Sequence, residues 1–147
     1  MSIALSFNIY IKSFFVEGTE KAVKEGIIEF AGDILKKGFK DGYEGERYMR
    51  NLYGASSYTF KNVKYVVDGI TKSANRIIDG LVNGVAHESK VGYMSLTKFI
   101  KEEALKDYAL LKRGDITESV WHFYRSAKTG KIGPSGPLKS FLEDHGD

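Results

Sequence analysis

Residues 76–93 read RIIDGLVNGVAHESKVGY, and the fold turns on how this run is taken. Val82, Val85, Ala86 and Val91 give it the content of a strand, and Glu88 and Lys90 stand two residues apart within it. Residues i and i+2 of a strand project to one face about 6–7 Å apart, so a carboxylate and an ammonium are expected side by side. Gly80 and Gly84 interrupt the run and offer steps that bring Asp79 back towards the same end. Two carboxylates and a lysine gathered at a strand end are the parts of a metal-dependent phosphodiesterase.

Working outward, residues 58–68 (YTFKNVKYVVD) are expected as a strand, or as a hairpin turning at Lys61-Asn62. Residues 69–75 then form a connection, and residues 76–79 and 81–91 continue the β section. After Gly92 the period changes: Leu96, Phe99, Ile100, Ala104, Tyr108 and Leu111 recur at helical spacing over residues 95–112, and Gly114 stops the run. Ser95 and Thr97 open this helix as caps, and its N-terminus is also a candidate phosphate seat. Residues 119–126 (SVWHFYRS) alternate as a strand, with Val120, His122 and Tyr124 on one side and Trp121, Phe123 and Arg125 on the other. Three glycines and two prolines make residues 128–137 a loop, and residues 138–144 a last short helix.

Towards the N-terminus, residues 19–37 are expected as a helix capped by Thr19, with Val23, Ile27, Phe30, Ala31 and Ile34 on one stripe and Gly38 as its end. Residues 44–53 form a shorter helix stopped by Gly54. Glu46, near its start, reads either as a carboxylate complementing the helix dipole or as a site residue. Residues 1–16 lack a basic leader and hold Asn8 and Lys12 within the apolar run, so neither a signal peptide nor a bilayer span is expected. Their aromatic and β-branched content suits a strand or a segment packed under the next helix, with membrane activity as the competing reading. The whole order implies an α+β protein: a central mixed sheet flanked by helices over residues 42–147, with residues 1–41 as a strand and helix extension.

The chain of 147 residues has 42% hydrophobic and 28% charged residues, enough for one domain with a real core. It has no cysteine, which excludes disulfides, thiolate nucleophiles and thiolate metal sites, so any metal is held by oxygen or imidazole. The net charge of +3 is modest but uneven: residues 1–58 balance, and the excess lies beyond them. Residues 119–140 carry Arg125, Lys128, Lys131 and Lys139 and no acid, which makes Arg125, Lys128 and Lys131 candidates for phosphate contact.

The run RIIDGLVNGVAHESKVGYMSLTKFI, followed by WHFYRS and then TGKIGPSGPL, resembles the restriction-endonuclease-like nuclease domains at the C-terminal ends of bacterial polymorphic and contact-dependent toxins. These belong to the PD-(D/E)xK superfamily, and the similarity covers residues 42–142. The resemblance implies that Asp79 stands for the family's Asp, Glu88 and Lys90 for the ends of its ExK, and Glu46 for the helical glutamate many members add. Asp79 here follows Ile78 instead of proline. The resemblance also implies a further strand where this sequence runs out at residues 141–147, so the sheet is expected to lack an edge there. It implies a Mg²⁺- or Mn²⁺-dependent nuclease, DNA favoured over RNA such as tRNA, delivered to act in the cytoplasm of a target bacterium and neutralised by a cognate immunity protein with an acidic face. The other classes left open are an inactive relative that only binds nucleic acid or a partner, and a membrane-acting segment in residues 1–40.

The chemistry accounts for those residue types. Phosphodiester hydrolysis needs about 15–20 kcal/mol or more taken off its barrier, and a positioned base contributes only about 3–5 kcal/mol. A divalent ion held by Asp79 and Glu88 would polarise the phosphate and acidify water. Lys90 would orient or deprotonate the attacking water and offset transition-state charge, and Glu46 would reach the ion through water or hold a second one. His87 is expected on the opposite face from Glu88, as a structural or rim residue, and His122, Trp121 and Phe123 as core.

Overall fold

A computed structural model describes residues 9–13 and 35–144. The expected helix over residues 19–37 lies outside them except for residues 35–37, which are helical. Five strands form one sheet: β1 (Ile9–Ser13), β2 (Ser56–Val67), β3 (Ile70–Val82), β4 (Val85–Val91) and β5 (Glu118–Tyr124), in the order β1-β5-β4-β3-β2. Among the described residues, besides the helical residues 35–37, helices α1 (Gly42–Tyr53), α2 (Lys98–Arg113) and α3 (Gly136–Asp144) pack on it. The protein is a mixed α+β protein with a mixed sheet.

Two dipeptides set the connectivity of the antiparallel half. Asp68 and Gly69 have φ of 51° and 77°, and Asn83 and Gly84 have φ of 49° and 78°. Consecutive positive φ values define the two-residue hairpin turn whose twist matches that of its strands. Of residues 69–75, expected as a connection, Gly69 completes the turn and residues 70–75 begin β3, and residues 81–91, expected as one run, are divided between β3 and β4. Lys61-Asn62 is no hairpin. The register of β2 on β3 shifts between Phe60 and Val63, and Asn62 has φ 54°, so the strand continues through a bulge there.

The remaining strands are parallel. β4 runs into α2, which crosses the sheet and returns the chain into β5, registered from Val85↔Glu118 to Val91↔Tyr124. Thr97 caps α2 by accepting from Ile100 N, and Asp41 caps α1 by accepting from Glu44 N at 3.0 Å. That Asp41 cap starts α1 at Gly42, ahead of the expected Glu44. β1 lies parallel to the outer side of β5, Ile9↔Ser119 to Ser13↔Phe123. Residues 9–13, within the segment expected as a strand or a packed element, thus form one edge of the sheet.

The core lies mainly on one face, where α2 and α3 cover the sheet. Ile78, Ala86, Trp121 and Phe123 meet Ile100, Ala104, Tyr108 and Leu111 of α2 and Leu138 and Leu142 of α3 there. Each large apolar side chain buried this way contributes about 1.5–3 kcal/mol. Tyr108 Oη donates to the carbonyl of Leu142, which ties α3 to α2. On the other face Leu35, Phe39 and Met49 close around Tyr124. Helix α1 comes unusually near the sheet there because Gly45 has no Cβ, and one would sit 2.6 Å from Val91 Cγ2 and 2.9 Å from Ser89 Oγ. That close approach brings the next residue, Glu46, over the strand that carries Glu88 and Lys90.

Candidate active site

The site begins at an irregularity in β3. Ser56 pairs with Leu81 and Tyr58 with Ile78, so Asp79 and Gly80 occupy a space where β2 supplies only Ser57. The extra residue turns Asp79 out of the alternation while Arg76, Ile78 and Leu81 all keep to the α2 side. The ladder between β3 and β4 runs from the Asn83-Gly84 turn to Gly80↔His87. One step further, the Ser89 amide donates to Asp79 Oδ2 at 2.9 Å. Asp79 thus takes over a ladder position with its side chain, and its carboxyl lies against that of Glu88 within hydrogen-bonding reach. The Asn83-Gly84 turn and the bulge thus bring Asp79 to Glu88, which also has Lys90 as a neighbour at 3.5 Å.

Behind that pair is a buried charge network that sequence reasoning missed. Arg76 is 4% exposed. Its Nη2 meets Glu88 Oε2 at 2.7 Å, Nη1 meets Glu103 Oε2 at 3.0 Å, and Nε meets Asp107 Oδ1 at 2.7 Å. The two remaining N–H groups reach Ile77 O and Asp107 Oδ2, which completes the five donors of a guanidinium. Asp107 also accepts from Ser119 Oγ at 2.9 Å and Trp121 Nε1 at 3.0 Å. Lys90 Nζ lies 2.7 Å from Glu103 Oε1, 3.5 Å from Glu88 Oε1 and 5.4 Å from the centre of the Trp121 ring. The missed residues did leave a signal: Glu103 and Asp107 fall on the Ile100, Ala104, Leu111 stripe of α2, where an acid has no business unless it meets a cation.

Burial pushes the Glu88 carboxyl up to about 8 against the opposing pull of Arg76 and Lys90, with Asp79 adding to the rise. Burial also raises Asp79 and Glu103. Asp79 and Glu88, in hydrogen-bonding contact, therefore hold a proton between them near neutrality. Lys90 moves the other way from what burial alone would do: Glu88 and Glu103 overcome desolvation and raise it. Lys90 is held as an ammonium between Glu88 and Glu103.

These shifts fix the sign of a pH effect. A carboxyl that keeps its proton to about pH 8 when folded, against 4.5 ordinarily, contributes stability that declines as pH rises through that window. Urea midpoints of the metal-free protein should fall between about pH 5 and pH 8, and Glu88→Gln should flatten the decline. Comparing the two proteins isolates this carboxyl, because the His87 and His122 rings are common to both. A wild-type decline no steeper than that of the variant would contradict the shared-proton picture.

Other expected site residues take definite places. Glu46 is half-buried on α1, 3.8 Å from Arg50, and its charge reaches Asp79. Arg50 also donates to the Asp79 carbonyl at 3.1 Å, pinning α1 to the bulge. Thr97 is the α2 cap, and Ser95 lies exposed two residues before it. Arg125 donates to Gly130 O at 2.6 Å and braces the basic loop, on which Lys128 and Lys131 are exposed. His87 faces away from Glu88, stacked on Tyr53 at 4.2 Å and hydrogen-bonded to His122 at 2.8 Å. Trp121 and Phe123 are wholly buried. A depression at the start of α1, lined by Lys37, Phe39, Glu44, Arg47 and Tyr48, does not include the acidic pair.

Among the described residues no three His, Cys, Asp or Glu side chains converge as a ready metal cage. The acids present still suit a dication. Asp79, Glu88, Glu103 and Asp107 oppose only Arg76 and Lys90, so the fully ionised cluster carries two surplus negative charges in a buried place. A proton between Asp79 and Glu88 cancels one of them, and a divalent cation would cancel both. No helix of the described residues is long and apolar enough to cross a membrane. Fold and site together define a mixed α+β protein with an acid-rich charge cluster at a strand bulge. Comparison of the chain with family models, curated proteins and solved structures gives no match.

Proposed function

We propose that this protein is a Mg²⁺- or Mn²⁺-dependent nuclease with a restriction-endonuclease-like core, hydrolysing phosphodiester bonds at Asp79, Glu88 and Lys90. The observation that carries the reading is the two-charge surplus of the buried cluster where Asp79 and Glu88 meet. Bound between those carboxylates, the ion would polarise the phosphate and acidify water. The chain's own residues supply the rest. Asp79 is aimed by the Ser89 amide and the bulge, and Glu46 stands above it on α1. Lys90, held by Glu103, offers a positive charge to a phosphate as negative charge builds on its oxygens.

The setting follows from the same reading: a toxin domain delivered into a competing bacterium, where it acts in the cytoplasm, restrained in its producer by an immunity protein. An acidic surface on that partner would complement the basic loop of Arg125, Lys128 and Lys131. DNA is the favoured substrate by analogy of fold, with RNA, including tRNA, as the second.

One observation favours a different reading. Glu88 is 5% exposed and one of its oxygens is held by Arg76, as in a structural ion cluster, which suits a module that binds nucleic acid without cutting it. Plasmid, total RNA and tRNA incubated side by side with the purified protein separate the two. Degradation with Mg²⁺ or Mn²⁺ that stops with EDTA is the expected result. Intact substrates at every metal concentration would leave the binding module standing.

A further inference from the structure

Two large aromatic side chains stand in water just beyond the strand that carries Lys90. Tyr93 is 56% exposed and Phe99 is 72% exposed. Between them the chain alternates: Met94 and Leu96 pack against the core, while Ser95 and Thr97 face outward with Tyr93. The segment is held firmly. Gly92 N donates to Tyr124 O at 2.9 Å, Met94 N donates to Gly133 O at 3.1 Å, and Ser135 N returns to Met94 O at 2.8 Å. Those last bonds lay it beside Gly133 and Ser135 of the basic loop, on which Lys128 and Lys131 are exposed. Residues 92–101 carry Lys98 and Lys101 and no acid, and residues 119–140 carry four cations and no acid. Lys101 leans towards Asp68 at 3.7 Å, and Lys98, Lys128 and Lys131 are exposed.

Exposed rings beside the exposed cations Lys128 and Lys131 are poorly explained by packing, because the core is complete without them. They suit a chain that offers both phosphates and bare base faces. Paired bases stack on one another inside a duplex and have no face to give, whereas unpaired bases stack on aromatic side chains whatever their identity. We propose that Tyr93 and Phe99, with the cations of the adjoining loop, form a platform for single-stranded nucleic acid leading into the Asp79–Glu88 site. This rests on the nuclease reading and narrows its substrate to unpaired segments. Ser95 and Thr97 lie between the rings, where their hydroxyls and the start of α2 face the intervening phosphates.

The test is fluorescence anisotropy in EDTA, so that binding is read without cleavage, using a labelled single-stranded DNA, the same sequence as RNA, and the DNA duplex. Tyr93→Ala combined with Phe99→Ala should weaken single-strand binding about thirtyfold or more and duplex binding little. Tyr93→Phe combined with Phe99→Tyr should restore it, because the ring face and not the hydroxyl is used. Both sites are exposed, and unchanged circular dichroism would show that folding is intact. The DNA and RNA arms identify which polymer the platform takes. Equal binding of the alanine variant and the wild type would overturn the platform, as would parallel losses on single strand and duplex. Failure of the nuclease reading shows elsewhere, as absent cleavage or cleavage that survives Glu88→Gln, so the two outcomes stay distinct.

Discussion

Glu88→Gln is expected to abolish the proposed nucleic-acid cleavage, with at least a hundredfold loss, and to leave the circular dichroism unchanged, the largest functional effect anticipated. The substitution keeps the volume and the oxygen that accepts from Arg76, and removes only the ability to become a carboxylate. Because burial keeps Glu88 protonated up to about pH 8 without metal, glutamine imitates the resting side chain. The variant should therefore be as stable as the wild type, and more stable at high pH. What it cannot do is share a dication with Asp79, and losing electrostatic stabilisation at the reacting phosphate costs on the order of 10²–10³ in rate. Lys90→Ala should be as damaging, though its loss also leaves Glu103 without a partner, so its urea midpoint must be measured beside its rate. Cleavage by Glu88→Gln within tenfold of wild type would refute the assignment of the site.

The largest structural effect is expected from Arg76→Met. Methionine fills much of the space but withdraws the guanidinium from Glu88, Glu103 and Asp107 together. Removing one partner of a buried ion pair costs about 3–5 kcal/mol because a charge is left uncompensated. Here three acids are left, and Lys90 alone cannot answer them. The loss should shrink on acidification, since each stranded carboxyl regains neutrality by taking up a proton that the unfolded chain releases near its ordinary value. Urea unfolding at pH 5 and pH 8 measures both the loss and its slope. A cost under about 1 kcal/mol at pH 8 would mean that the network is weaker than its geometry indicates.

Much of this was open to reading in the primary structure, and what was hidden has physical reasons. The Glu88-x-Lys90 pair, the α2 period and the alternation of β5 were legible because each depends on local periodicity. The Thr97 cap and the Gly54 and Gly114 stops were legible because terminal backbone groups demand particular residues. The hairpins were legible in principle: Asp68-Gly69 and Asn83-Gly84 are strong turn signals, and reading residues 81–91 as one run overlooked the second. The bulge at Asp79 was not legible, since an extra residue in one strand appears only against its partner. The role of Arg76 depends on acids 27 and 31 residues away, on a helix whose other face carries ordinary surface charge. Nor could local pattern show that β1 would occupy the far edge, because its partner strand lies beyond residue 117.

The Asn83-Gly84 reversal has a consequence for how the molecule is assembled. Only nine positions of chain separate Asp79 from Glu88, so the two acids are brought face to face by a short, inexpensive closure. Seating Ile9 against Ser119 instead closes a loop of more than a hundred residues, and the entropy of closure grows with loop length. The acidic corner and the outer edge of the sheet are thus built on very different scales of chain.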